Sequence, residues 1–249
     1  MPAHTPPAEI VTAGMLVIGD EILSGRTKDR NIGHLAETMT AVGIDLREVR
    51  VVADIEEEIV AALNALRSRY SYVFTTGGIG PTHDDITADS VARAFQVPID
   101  VDPRAVAMME ARFPGRPMNE ARLRMARIPE GAELVDAGGM GAPGFWIGNV
   151  IVMAGVPSIM QTMLAGLVPK LAKGAKILSE TVRADAREGD IGTELRAVAE
   201  AHPDVMIGSY PFTDEGGPNT NLVIRSRDPM RLEAARAAVV TMLAGVKAR

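Results

Sequence analysis

Residues 11–18, Val-Thr-Ala-Gly-Met-Leu-Val-Ile, make a near-continuous apolar run with only small interruptions. Such a run, without strict alternation, suits a strand buried on both faces of a parallel sheet. Parallel pairing demands a crossover between strands, and the sequence supplies one. Within residues 29–42, Ile32, Leu35, Met39 and Val42 recur at helical spacing, and Gly43 is placed to end that helix. Residues 44–52 read as the next strand. Asp54, with Glu57 three residues on, resembles a capping box in which aspartate takes the Ser/Thr role. It would open a helix whose buried stripe is Ile59, Leu63 and Leu66. Residues 72–75 read as a third strand and 87–95 as a helix. This alternation predicts a doubly wound, mostly parallel α/β sheet.

Further along, residues 103–113 and 119–127 read as helices. Gly148-Asn149 within residues 145–153 is a two-residue hairpin turn. Ala154-Gly155-Val156-Pro157-Ser158 joins a strand to a helix reaching about residue 171, with Ser158 as its N-cap. A boundary falls near Lys173-Gly174. Beyond it the expected order is strand (175–182), helix (191–201), strands (205–210 and 221–226) and helix (229–246). Asp228 before Pro229 caps the last helix, with proline at N1. The expected organisation is a disordered lead-in over 1–9, a large α/β domain over 10–172 and a small α+β domain over 173–249.

Composition excludes several classes of function. Lys plus Arg number 26 against 32 Asp plus Glu, a net charge of −6. Binding nucleic acid through bulk electrostatics needs clustered basic charge, so none is expected. The chain has no cysteine, which removes disulfides, thiolate metal sites and cysteine nucleophiles. No apolar run approaches the roughly 18 residues that span a membrane, and residues 1–9 lack the apolar core of a signal peptide. A cytoplasmic location without membrane attachment is expected.

The chemistry concentrates at residues 75–87, Thr-Thr-Gly-Gly-Ile-Gly-Pro-Thr-His-Asp-Asp-Ile-Thr. Gly77, Gly78 and Gly80 allow a tight turn in which successive N–H groups form an anion-binding concavity, with Thr76 and Thr82 flanking it. The bland alternative is a purely structural turn. It matches neither a Walker A loop nor the dinucleotide fingerprint. Asp84 and Asp85 either cap the following helix or hold Mg²⁺ or another divalent cation together with substrate oxygens. Asp20 and Glu21, after Gly19, are either a solvated turn or further ligands and a base that orients water. Both acidic pairs fall at the carboxyl edge of the sheet, where doubly wound folds bind ligands. His83 reads as a loop contact, Ser158 as a cap before a ligand contact, and Arg26 and Lys28 as solvent-facing cations within reach of a phosphate.

Taken in order, several segments resemble the molybdopterin-binding family of the MoaB/MogA type, and most closely the N-terminal part of CinA-like (competence/damage-inducible) proteins. They are residues 17–25, Asn31, residues 75–87, Arg116-Pro117-Met118, residues 128–132, Ala142-Pro143-Gly144-Phe145 and Gly155-Val156-Pro157. The resemblance covers residues 10–172, and the tail around residues 207–211 resembles the CinA-like extension. It implies a three-layer α/β/α domain, dimeric or trimeric, that binds molybdopterin or a nucleotide-linked ligand. It also implies ligand contacts at Gly19, Asn31, Thr76, Gly155, Val156, Pro157 and Ser158. CinA-like relatives are associated with metal-dependent hydrolysis of nucleotide diphosphates such as ADP-ribose, which would place Asp20, Glu21, Asp84 and Asp85 at the chemistry. Relatives in cofactor biosynthesis adenylylate molybdopterin, so the alternatives for this chain are a non-catalytic binder of molybdopterin cofactor or a molybdopterin adenylyltransferase. The chain departs from the family pattern at Met140-Gly141, where Gly-Thr is usual, and at Ala154, where proline is usual. The amidohydrolase domain of full-length CinA-like proteins is not expected in it.

Overall fold

The structure, a computed structural model, describes residues 10–112 and 114–247. The expected lead-in over 1–9, and Phe113 at the end of an expected helix, lie outside the described residues. The chain divides into two compact units, Met1–Gly174 and Ala175–Arg249.

The first unit runs β1 (Val11–Ile18), α1 (Asp20–Leu23), α2 (Asn31–Ala41), β2 (Ile44–Val52), α3 (Glu56–Arg67), β3 (Tyr72–Thr76), α4 (Thr87–Phe95), β4 (Ile99–Val101), α5 (Pro103–Arg112), α6 (Glu120–Arg124), β5 (Arg127–Pro129), β6 (Glu133–Val135), β7 (Gly144–Ile147), β8 (Val150–Met153) and α7 (Pro157–Leu167). Six strands form one sheet in the order β2-β1-β3-β8-β7-β6. The pairs β2/β1, β1/β3 and β3/β8 are parallel, while β8/β7 and β7/β6 are antiparallel.

The strand period of two sorts the apolar residues onto two faces. Val11, Ala13, Met15 and Val17 of β1, with Phe74 of β3, pack with Leu35 and Met39 of α2 and Met160, Met163 and Leu164 of α7. Leu16 and Ile18, with Val73, pack with Ile59, Leu63 and Leu66 of α3 and Val91 of α4. Two helix layers therefore sandwich the sheet, which is why its central strands carry apolar residues on both faces. The fold is a three-layer α/β/α, mostly parallel sheet.

In the second unit β9 (Leu178–Arg183), α8 (Glu188–Ala201), β10 (Met206–Asp214), β11 (Gly217–Ser226) and α9 (Pro229–Lys247) follow the expected element order. The sheet is antiparallel, ordered β10-β11-β9. Leu222 and Ile224 pack with Ile191 of α8 and with Leu232, Ala235 and Val239 of α9.

Local details differ from the sequence reading in instructive ways. Asp54 does not open α3. The N-cap there is Ile55, and the Asp54 carboxylate accepts the Asp20 N–H at 2.9 Å. Ser158 is not an N-cap either. Val156 holds that position with Pro157 at N1, because the fixed φ of proline starts the helix itself. Gly19-Asp20-Glu21 is not all loop, since Asp20 begins the one-turn α1. The expected helix over 119–127 shrinks to α6, capped by Asn119, which accepts the Arg122 N–H. Arg127 instead begins β5, paired with β4. The expected strand over 175–182 begins at Leu178. Gly148-Asn149 does turn β7 into β8, and Asp228 does cap α9, accepting the Met230 N–H at 2.8 Å.

Candidate functional site

Three parallel strands, β1, β3 and β8, end side by side, and the loops leaving them form the site. Gly77, at φ 103°, lies so close to β1 that a Cβ there would overlap the Ile18 carbonyl oxygen. On its other side a Cβ on Gly155 would stand 3.2 Å from the Gly77 Cα. Only residues without side chains let these backbones meet. Gly78, at φ 65°, is pressed against Thr87, and a Cβ there would overlap the Thr87 hydroxyl. Thr87 is fully buried and closes the turn twice. Its N–H donates to the Gly78 carbonyl at 3.0 Å and its hydroxyl to the Gly77 carbonyl at 2.9 Å.

Asp85 folds the rest of the loop. Its Oδ2 accepts the Thr82 N–H at 2.8 Å and the Thr82 hydroxyl at 2.6 Å. The Arg124 guanidinium donates to the Asp85 carbonyl at 3.0 Å, tying α6 to this loop. On the opposite wall Asp29 accepts the N–H groups of Asn31 and Ile32 at the start of α2. The Asn31 amide then donates to the Gly155 carbonyl at 2.8 Å. That bond fixes the β8–α7 loop against α2.

A cleft of about 460 Å³ opens between these loops, lined by Glu21, Gly77, Gly78, Gly80, Asp85 and Gly155-Val156-Pro157, with Met125, Gly141 and Ala142 on the far wall. A smaller chamber of about 60 Å³ adjoins it, sharing Glu21, Gly77, Gly155 and Pro157 and adding Asn31 and Thr76. Most of the residues singled out in the sequence thus converge. Gly19, Asp20, Arg26, Thr82, His83, Asp84 and Ser158 line neither space. Met140 lines neither, whereas Gly141 and Ala154 do line the cleft.

Asp54 is the acidic residue that sequence reasoning misassigned. Half-buried at the end of β2, it has its carboxyl pushed up, first by burial and then by the negative charges of Asp20, Glu21 and Asp84. Its bond to the Asp20 N–H opposes that shift. Asp54 therefore feels the charges of three other carboxylates at this sheet edge. Asp84 faces solvent, and the Thr82 hydroxyl, the loop backbone, and the charges of His83 and Arg124 hold its carboxyl below the ordinary range. The sequence signal for Asp54 was its position just beyond the carboxyl end of β2, the same sheet edge as the other acids.

Residues 14–173 match the family model described as a probable molybdopterin binding domain. The chain belongs to the molybdopterin-binding domain family. Within it the affinity is to MoaB/MogA-like and CinA-like members. A CinA crystal structure from Thermoplasma acidophilum, described as of unknown function, superposes with a TM-score of 0.61 at 30% identity, covering 65% of this chain and 98% of that one. Residues 176–248 match a second model, the FAD synthase middle domain. A protein of Archaeoglobus fulgidus is 32% identical over 79% of this chain and 84% of its own length. A probable FAD synthase of Caenorhabditis elegans is 30% identical over 94% of this chain, which spans 50% of that protein. A CinA-like protein of Desulfosudis oleivorans is 37% identical over 64% of this chain and 40% of its own length. No helix among the described residues is long and apolar enough to cross a membrane.

Proposed function

We propose that the first unit binds a phosphorylated pterin-like or nucleotide ligand and hydrolyses its pyrophosphate bond with a divalent cation. The carrying observation is that the Gly77–Gly80 backbone, Glu21 and Asp85 line one cleft of about 460 Å³. Backbone N–H groups in a left-handed glycine turn suit phosphate oxygens. The match of both units to FAD synthase relatives favours a ligand that joins a ring system to a pyrophosphate.

Among the described residues no group of three or more His, Asp or Glu side chains could hold a metal by itself. Mg²⁺ commonly takes only one or two carboxylates plus substrate phosphates, so Asp85, with Glu21 or Asp84 nearby, fits a cation bound together with the ligand. Bound there, it would neutralise phosphate charge and polarise the phosphorus centre. Glu21, exposed on the cleft wall, would orient the attacking water and take its proton as the bridging P–O bond breaks. The glycine turn would hold the phosphate in line.

One observation favours binding without turnover: Asp85 Oδ2 is already committed to Thr82 by two hydrogen bonds. Incubation with ADP-ribose, FAD and related diphosphates, with Mg²⁺ or Co²⁺, decides between the readings. Phosphate-ester products that disappear in Glu21→Gln support hydrolysis. Calorimetric binding of FAD or molybdopterin without product supports the binder. No binding and no turnover of any ligand sinks both.

A further inference from the structure

Two residues that line the small chamber beside the cleft each carry a buried polar atom that the described residues leave without a partner. Asn31 is 4% exposed and Thr76 is 1% exposed. Asn31 Oδ1 and Thr76 Oγ1 have no hydrogen-bond partner among the described residues. The Asn31 amide nitrogen, by contrast, is used to hold Gly155. Strand parity accounts for the pairing. Thr76 shares the face of Phe74 and Val17, which is the face α2 covers, so its hydroxyl and the first side chain of α2 enter the same space. Buried polar groups are ordinarily satisfied, and two orphans lining one chamber point to a partner from outside the chain.

We propose that this chamber recognises one group of the ligand that carries a hydrogen-bond donor next to an acceptor. Asn31 Oδ1 can only accept, so it takes the donor; the Thr76 hydroxyl donates to the adjacent acceptor. The volume limits what enters. An apolar cavity that holds benzene measures about 150 Å³, whereas this chamber is about 60 Å³, enough for an edge group and too little for a whole ring. Two sources present that chemistry: the N–H beside C=O on the edge of a pterin or flavin ring, and the vicinal hydroxyls of a ribose. Because Gly77, Gly155 and Glu21 line both chamber and cleft, the group would enter the chamber while the phosphates lie over the glycine turn. The pair of residues would then select among phosphorylated ligands that the turn alone cannot tell apart. The inference rests on the proposed function, since it places the phosphate in the cleft.

The test is calorimetry on the full chain, with Ca²⁺ in place of Mg²⁺ to suppress turnover. Wild type and Thr76→Val are titrated with inorganic pyrophosphate, FAD, N3-methyl-FAD, ADP and 2′,3′-dideoxy-ADP. Thr76→Val is expected to weaken FAD or ADP at least tenfold more than it weakens pyrophosphate. The blocked form of the recognised ligand is expected to lose as much on wild type and little more on the variant, the coupling expected when blocking keeps the whole edge group, acceptor included, away from Thr76. Loss on N3-methylation assigns the ring edge, and loss on removing the diol assigns ribose. An equal loss for pyrophosphate, no loss at all, or no coupling to either blocked ligand overturns the inference and leaves the proposed function standing. A wild-type protein that binds none of the five overturns both.

Discussion

One chemical change, threonine to valine, has opposite expected effects at two positions flanking the glycine turn. Thr87 and Thr76 are both buried, at 0% and 1% exposure, and valine keeps the shape of each. The Thr87 hydroxyl donates to the Gly77 carbonyl at 2.9 Å. Removing it leaves a buried carbonyl short of a donor, a cost of about 1–3 kcal/mol. The Thr76 hydroxyl has no partner among the described residues, so its desolvation is uncompensated. Replacing it with a methyl group is expected to stabilise the ligand-free protein by about 1 kcal/mol. For a unit of this size 1 kcal/mol moves the melting temperature by roughly 2–4 °C. Thr87→Val should therefore melt some 2–12 °C lower and Thr76→Val a few degrees higher. Urea unfolding followed by circular dichroism, with thermal melts alongside, reads both. Function should not follow stability: both variants should bind FAD more weakly, Thr87→Val because the turn loses its tether. A stabilised Thr87→Val, or a Thr76→Val destabilised by more than 1 kcal/mol, would refute the assignment of bonded and orphan hydroxyls.

Gly77→Ala should lower stability by more than the roughly 1–3 kcal/mol of a strained backbone alone, because its Cβ meets the fixed Ile18 carbonyl; pyrophosphate titration should show binding lost, and a stable, binding-competent variant would contradict the packing. Asp54→Asn should raise stability at neutral pH. A carboxyl whose folded pKa lies above its unfolded value stabilises the fold below the unfolded value, and that contribution is lost as pH rises through the folded value. The wild type should therefore lose ground to the variant as pH climbs above the ordinary aspartate range, and parallel urea titrations between pH 3 and pH 8 check the sign. Asp85→Ala should cost about 1 kcal/mol, since the exposed Thr82 N–H and hydroxyl that it frees turn to water, whereas the solvent-facing Asp84→Ala should unfold as wild type does; chemical denaturation separates them.

The layered fold was legible because its main signals are local. The apolar run at residues 11–18, the helical spacing of Ile32, Leu35 and Met39, and the turn at Gly148-Asn149 each carry their own instruction. The glycine turn and Glu21 were legible for the same reason, and topology then brought them together. What was not legible depended on contacts distant in sequence or on very short elements. Asp54 carries a perfectly good capping-box spacing, yet its carboxylate serves the Asp20 N–H, 34 positions away. Pro157 overrode Ser158 because a ring-locked φ outranks a hydroxyl in starting a helix. The ribbon of β4 and β5 is only three residues per strand, too short for periodicity to register. The unpartnered oxygens of Asn31 and Thr76 are invisible in sequence, since a satisfied and an orphaned side chain are spelled alike.

The position of Asp54 has a kinetic corollary. It follows β2, which stands at the margin of the six-stranded sheet with β1 as its single neighbour among the described residues. Margins open first when a protein breathes. Transient fraying at the carboxyl end of β2 would swing Asp54 away, uncap α1 and relieve Asp20 and Glu21 of a neighbouring charge, all without disturbing the glycine turn. The charge standing beside Asp20 and Glu21 is thus tied to the opening of one border strand, and amide exchange at Val52, whose polar groups face β1, would report it.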